Sequence, residues 1–122
     1  GVPYIVVPSR RQAPINEVVI AASQGGTVYT DIVEVVNINR VLERLKKLEY
    51  WVVGGALEGK KVGAIKSQYQ HIALVIGSED KGISQLVKKN CDLLVRIPQK
   101  SQNAHNSLNA SVASAVLLYA LQ

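Results

Sequence analysis

The sequence predicts an α/β fold: a mostly parallel sheet with helices on both faces. Three observations carry this. Short β-branched runs of four or five residues recur along the chain. Segments with apolar residues at helical spacing lie between them. Gly, Pro and polar clusters mark the junctions. Strands that alternate with helices are joined by crossovers, so neighbouring strands run parallel.

Taken in order, the first strand is Tyr4-Ile5-Val6-Val7, closed by Pro8 and read as buried. A basic polar loop follows, Ser9-Arg10-Arg11-Gln12. Ile15, Val18, Val19 and Ala22 then fall at helical spacing, with Pro14 near the first helical position and Gly25-Gly26 as the stop. Thr27-Val28-Tyr29 reads as a short strand. Asn37 is a good N-cap for the clearest helix, because its side-chain oxygen can accept a free N–H of the first turn. Ile38, Val41, Leu42, Leu45 and Leu48 form the apolar stripe of that helix, and Glu43 and Lys47 pair along its wet face. The strand Tyr50-Trp51-Val52-Val53 ends in Gly54-Gly55, and residues 56–70 read as polar and irregular. Residues 72–76 are the next strand, followed by a glycine turn, a helix to Lys89 and a strand over residues 93–97 ending at Pro98. A polar loop then leads to a final helix from about Leu108 to Leu121.

That last helix differs from the others. Leu108, Val112, Ala115 and Tyr119 make one apolar stripe, while Val116, Leu117, Leu118 and Leu121 carry apolar surface round to the opposite side. A helix apolar all round must be buried all round. One side is expected on the sheet and the other against a second copy, unless a larger fold covers it.

The chain has 122 residues, which reads as one small domain, and 48% of them are hydrophobic, enough for a real core. There is no apolar run of about eighteen residues to span a membrane, and no signal-peptide pattern. The single cysteine, Cys91, rules out an internal disulfide and suits a reducing compartment: the cytoplasm, or the mitochondrion in a eukaryote. No histidine lies near Cys91 in sequence, so it reads as structural. A net charge of +5 favours a polyanionic partner. The chain starts at Gly1 and contains no methionine, which reads as a piece of something longer.

Ligands of open α/β sheets bind beyond the carboxyl ends of the strands. Residues 9–12, 54–56, 77–82 and 98–107 are expected there. The run Gly77-Ser78-Glu79-Asp80-Lys81-Gly82 is not a P-loop, since Lys81-Gly82 lacks the Gly-Lys-Ser/Thr ending. No residues have metal-ligand spacing, so no metal is expected. His71 and His105 read as bland or solvated.

Two segments say more. Residues 72–98, I-A-L-V-I-G-S-E-D-K-G-I-S-Q-L-V-K-K-N-C-D-L-L-V-R-I-P, and the later run S-L-N-A-S-V-A from Ser107 resemble motifs 2 and 3 of the SpoU family of RNA ribose methyltransferases, in the right order. P-S-R-R-Q-A-P-I-N at residues 8–16 is similar to the segment after motif 1 in the ribosomal RNA branch. The resemblance implies a SPOUT-type fold with a C-terminal trefoil knot. It also implies S-adenosylmethionine as cofactor, a homodimer through the last helix, and 2′-O-methylation of a ribose. Ribosomal RNA is the preferred substrate, because of Arg10-Arg11-Gln12, and transfer RNA the alternative.

Carried onto this chain, the resemblance assigns the cofactor pocket to Gly54, Gly55, Gly77, Glu79, Gly82, Ile97, Pro98 and Leu108. Asn109, then Ser107, are the candidates for orienting the reacting hydroxyl, although Asn109 is also a plain N-cap. Arg10 and Arg11 are the candidate RNA contacts. The family's proton-handling arginine belongs to motif 1. That motif, with the first strand, is expected upstream of Gly1, making residues 1–122 a catalytic domain cut short at its N-terminus. The loop before Ser107 departs from the family: it is about two residues longer, lacks the usual glycine, and has Gln99 for methionine. Two rival readings remain at this stage. One is a non-catalytic knot-fold module for RNA binding or dimerisation; the other is an α/β domain for a different adenine-containing ligand.

Overall fold

The computed structural model describes residues 2–10, 14–65, 69–99 and 108–122. Where the sequence reads as one domain, the chain divides into two compact units, residues 1–41 and 42–122. The one expected sheet is likewise two parallel sheets, of two and three strands. Alternation of strands and helices fixes strand direction, but not which strands are neighbours.

In the first unit, β1 (Tyr4–Pro8) pairs with β2 (Asp31–Val35), in register from Tyr4 opposite Asp31 to Pro8 opposite Val35. The strand is not at residues 27–29, which lie in and just after a single 3-10 turn, Gly26–Val28. Asp31 and Glu34 interrupt the apolar run of β2 and hide it from a reading by hydropathy. β1 was expected to be buried, yet Tyr4, Ile5 and Val6 are exposed. A two-stranded ribbon has too few elements to cover its own faces. The helix α1 (Glu17–Ala22) starts at Asn16, whose Oδ1 accepts from the N–H groups of Val18 (3.1 Å) and Val19 (3.2 Å). Pro14 therefore precedes the cap instead of entering the first turn. The helix ends as expected, with Gly25 at φ 80°.

The helix α2 (Ile38–Lys47) is capped as the sequence predicts: Arg40 N–H donates to Asn37 Oδ1 at 3.1 Å.

The second unit carries β3 (Trp51–Lys61), β4 (Ile72–Val75) and β5 (Leu93–Arg96), all parallel and in the order β4-β3-β5. The helix α3 (Gln85–Asn90) joins β4 to β5, and α4 (Ala110–Ala120) ends the chain. Val52 and Val53 of the central strand are fully buried. The two faces of β3 have different neighbours. A Cβ placed on Gly54 would meet Leu94 (2.8 Å), Cys91 (2.9 Å) and Ile83 (3.1 Å); one on Gly55 would meet Leu117 of α4 at 3.0 Å. Gly54 and Gly55 thus lie within the strand, where the sequence placed them just beyond it.

Helices at both faces are therefore present in this unit. Val53, Val62, Val95, Leu117 and Leu121 form its core, with Ile72, Leu74, Ile76 and Ile97 packed against them. Leu117 and Leu121 turn inward, while Val112, Leu118 and Tyr119 are exposed. The inner and outer sides of α4 are thus divided differently from the two stripes read in the sequence. At the start of β3, Asp92 Oδ2 accepts from Val52 N–H at 2.9 Å, and Oδ1 pairs with Lys46 Nζ at 3.0 Å. Trp51 stacks on Tyr69 with ring centroids 4.1 Å apart.

Residues 56–61 continue β3 and are not irregular. Gly55 and Lys60 both face Val95 of β5, so residues 56–59 bulge out between them. Gly59 is where the strand comes back. A Cβ there would lie 2.5 Å from Leu94 C and Val95 N, which are backbone atoms that cannot yield cheaply. Gly59→Ala is expected to cost about 3 kcal/mol, as overpacking does in a closed site. Urea unfolding would show the lowered midpoint.

Candidate active site

In the second unit, the carboxyl ends of the three strands open onto a cavity of about 460 Å³. Four segments and Lys88 of α3 wall it: residues 55–58 of the β3 bulge, residues 76–83 after β4, residues 95–97 with Gln99 after β5, and the first two turns of α4 with Leu108. This is where parallel sheets bind ligands, because β4 and β5 leave β3 on opposite sides and open a crevice.

The glycine turn is held by its own backbone. Ser78 N–H donates to Gly82 C=O at 3.2 Å, and Gly82 N–H to Ser78 C=O at 2.8 Å. Lys81 N–H donates to Ser78 Oγ at 3.3 Å. Gly82 has φ 64°, a left-handed conformation that glycine adopts at little cost. A Cβ on Gly77 would clash with Gly82 C and Ile83 N. Gly77 is thus needed to close the turn on itself, a reason the sequence did not reveal. Ser84 caps α3, with Val87 N–H donating to its Oγ at 3.4 Å.

Glu79 fastens this turn to α4. Asn109 Nδ2 donates to Glu79 Oε1 at 2.9 Å, and Ala110 N–H approaches the same oxygen at 3.5 Å. Asn109 Oδ1 accepts from Ser111 N–H at 2.9 Å, so Asn109 is indeed the N-cap. A carboxylate here also meets the positive end of the helix. The amide is not exhausted, since Asn109 keeps one N–H and one lone pair free of these bonds.

Of the sequence-predicted residues, Gly55, Gly77, Glu79, Gly82, Ile97 and Leu108 line the cavity. Gly54 does not; its missing side chain is filled by Leu94, Cys91 and Ile83. Pro98 is outside the lining, and Asn109 reaches it through Glu79. Arg10 is exposed just after β1, in the first unit. Ser107, Arg11 and His105 lie outside the described residues.

Three charged lining residues escaped the sequence reading: Glu58, Lys88 and Arg96. Lys88 Nζ pairs with Glu58 Oε1 across the cavity. No periodicity joins residues 30 apart, so only the bulge in β3 could have revealed this pair. Lys88 holds the Glu58 carboxyl below its usual range, chiefly through the hydrogen bond. Cys91 is a half-exposed thiol that donates to Val87 C=O at 3.3 Å, and burial, then the nearby Asp92, push its pKa up. It stays protonated at neutral pH, as a structural residue should. Among the described residues, no cluster could hold a metal ion.

A carboxylate with a depressed native pKa loses its stabilising pair as pH falls through that native value. Glu58 is largely exposed, so screening keeps its energetic share small. An NMR titration should place the Glu58 midpoint below 4.5. Lys88→Gln should raise it.

Comparison with known proteins adds a family. The model of the SpoU rRNA Methylase family matches residues 1–119. An uncharacterized tRNA/rRNA methyltransferase of Borreliella burgdorferi is 32% identical over 122 residues, covering 100% of this chain and 53% of that protein. The 23S rRNA (guanosine-2′-O-)-methyltransferase RlmB of Blochmanniella floridana is 38% identical over 119 residues, covering 98% and 46%. The chain spans about half the length of these curated relatives. Among solved structures, the A. aeolicus TrmH/SpoU tRNA modifying enzyme superposes with a TM-score of 0.82 at 26% identity, covering 99% of this chain and 60% of that one. AviRb of Streptomyces viridochromogenes, a SpoU methyltransferase solved with AdoMet, gives a TM-score of 0.84 at 22% identity, covering 97% and 48%.

Proposed function

Because the chain belongs to the SpoU rRNA methylase family, we propose that it forms the cofactor-binding part of an S-adenosylmethionine-dependent RNA 2′-O-ribose methyltransferase. The observation that carries the reading is the cavity itself. Most of its walls come from the two segments that resemble motifs 2 and 3, and its volume of about 460 Å³ suits a nucleoside-sized ligand. Ile76, Ile97, Leu108 and Leu117 give it apolar surface for a flat base, and the Glu79 carboxylate suits a cationic ligand. The cofactor named for AviRb fits this set. The RlmB relative, named for 2′-O-methylation of 23S rRNA, supports the ribose and the ribosomal preference.

When bound, the cofactor supplies an electrophilic methyl group on a sulfonium. The chain's own work is then alignment and proton handling. In-line displacement needs the 2′-hydroxyl held on one axis, which positioning alone can speed greatly. Asn109 is assigned that role, with its free N–H and lone pair, and Ser107 assists. The Glu79 bond keeps the Asn109 amide in one orientation. A ribose hydroxyl must also shed its proton; the family's motif 1 arginine is assigned that step. Arg10 and Arg11 are read as contacts for the RNA backbone. The resemblance implies a C-terminal trefoil knot, and the exposed Val112, Leu118 and Tyr119 of α4 are read as the homodimer face.

Calorimetry should show S-adenosylmethionine binding by the purified protein, and mass spectrometry a 2′-O-methylated nucleoside in ribosomal RNA incubated with it. Gly77→Ala should weaken cofactor binding about tenfold or more by forcing the turn open. Binding without methyl transfer to any RNA would favour the non-catalytic reading.

The dimer has its own test. Leu118 is 37% exposed and Leu121 is 9% exposed. Leu118→Glu should therefore give folded monomers in analytical ultracentrifugation, whereas Leu121→Glu should unfold the protein by burying a charge in the core. Folded dimers from Leu118→Glu would move the interface elsewhere.

A further inference from the structure

Lys61 and Arg96 close the carboxyl ends of β3 and β5, and they are partners in register on the two parallel strands. Residues in register on neighbouring strands share a face of the sheet. Two cations placed side by side repel each other, and sheets usually avoid the pairing. Such a pair is ordinarily relieved by a carboxylate. Here no ion pair to either residue occurs among the described residues, whose salt bridges are Lys46 with Asp92 and Lys88 with Glu58. No Asp or Glu occurs between Glu58 and Glu79, or anywhere after Asp92. Arg96 lines the cavity, while Lys61 is exposed beside it.

The geometry points to an oxyanion seat at this rim, made by the Arg96 guanidinium and the Lys61 ammonium, that takes a backbone phosphate of the RNA strand entering the cavity. The inference rests on the RNA methyltransferase reading. Arg96 offers a planar fork suited to two phosphate oxygens, and Lys61 a mobile point charge. A cofactor carboxylate is the other oxyanion within reach of Arg96. The phosphate is favoured because Lys61 stands outside the cavity lining, where a strand passing over the mouth would run. A phosphate there would also relieve the repulsion between the two cations.

The test uses a fluorescent single-stranded RNA oligonucleotide and anisotropy at several salt concentrations. Arg96→Gln with Lys61→Gln should lower affinity about tenfold and flatten the salt dependence by about 0.7 for each phosphate no longer neutralised. Arg96→Lys should restore the slope but only part of the affinity. Lys47→Gln, an exposed charge on α2, is the control for net charge and should change little. S-adenosylmethionine affinity, by calorimetry, should stay at the wild-type value in Lys61→Gln alone, since Lys61 lies outside the cavity lining. RNA affinity and slope unchanged in the double variant, with the wild type binding RNA, would overturn the seat alone. So would a loss confined to cofactor affinity, which would assign Arg96 to the cofactor carboxylate. A wild type that binds no RNA would overturn the functional reading, and the seat with it.

Discussion

The cavity depends on main chain meeting main chain with no side chain between. At Gly59 the returning limb of β3 lies flat against the Leu94–Val95 backbone, and at Gly77 the turn after β4 folds onto Gly82 and Ile83. A methyl group at either place would push these walls apart. The same economy runs along the centre of β3, where Gly54 and Gly55 let Cys91, Ile83 and Leu117 approach from opposite faces. The unit has a small core, centred on Val53, Val95 and Leu117, so tight packing substitutes for bulk. Once the walls are fixed, polar ties finish them: Glu58 with Lys88 across the bulge, and Glu79 with Asn109 between the turn and α4.

Much of this architecture was legible because local chemistry dictates it. Asn37 and Asn109 cap their helices as their side chains allow, and the apolar runs at residues 4–7, 72–75 and 93–96 are strands. The misses are those where local chemistry is silent or misleading. β2 carries Asp31 and Glu34, so its pattern is neither alternating nor continuously apolar. The second half of β3 is polar because it bulges toward the cavity, and polarity alone reads as a loop. Partition of the sheet into two sets of strands is a matter of pairing, which short apolar runs do not encode.

The site was legible in its glycines and its acidic turn, and less so in their reasons. Six of the residues assigned through the resemblance line the cavity, but Gly77 serves loop closure and Gly54 serves packing. Glu58 and Lys88 were invisible because they are 30 residues apart and meet only through the shape of a strand bulge. Arg96 looked like an ordinary strand residue until its register with Lys61 was known. Residue identity marks a candidate; the neighbours that decide what it does come from the fold.

Trp51 is the one tryptophan of the chain, half-open to solvent at the amino end of β3 and stacked on Tyr69. The cavity begins four residues further along the strand, about 13 Å away. Excited at its own wavelength, the indole reports on the base of the sheet and on the Tyr69 ring, with little view of the ligand end. Its emission should follow the melting of the central strand and stay nearly constant while the cavity fills. The protein thus carries a built-in optical gauge of its own integrity, separate in space from the place where it binds.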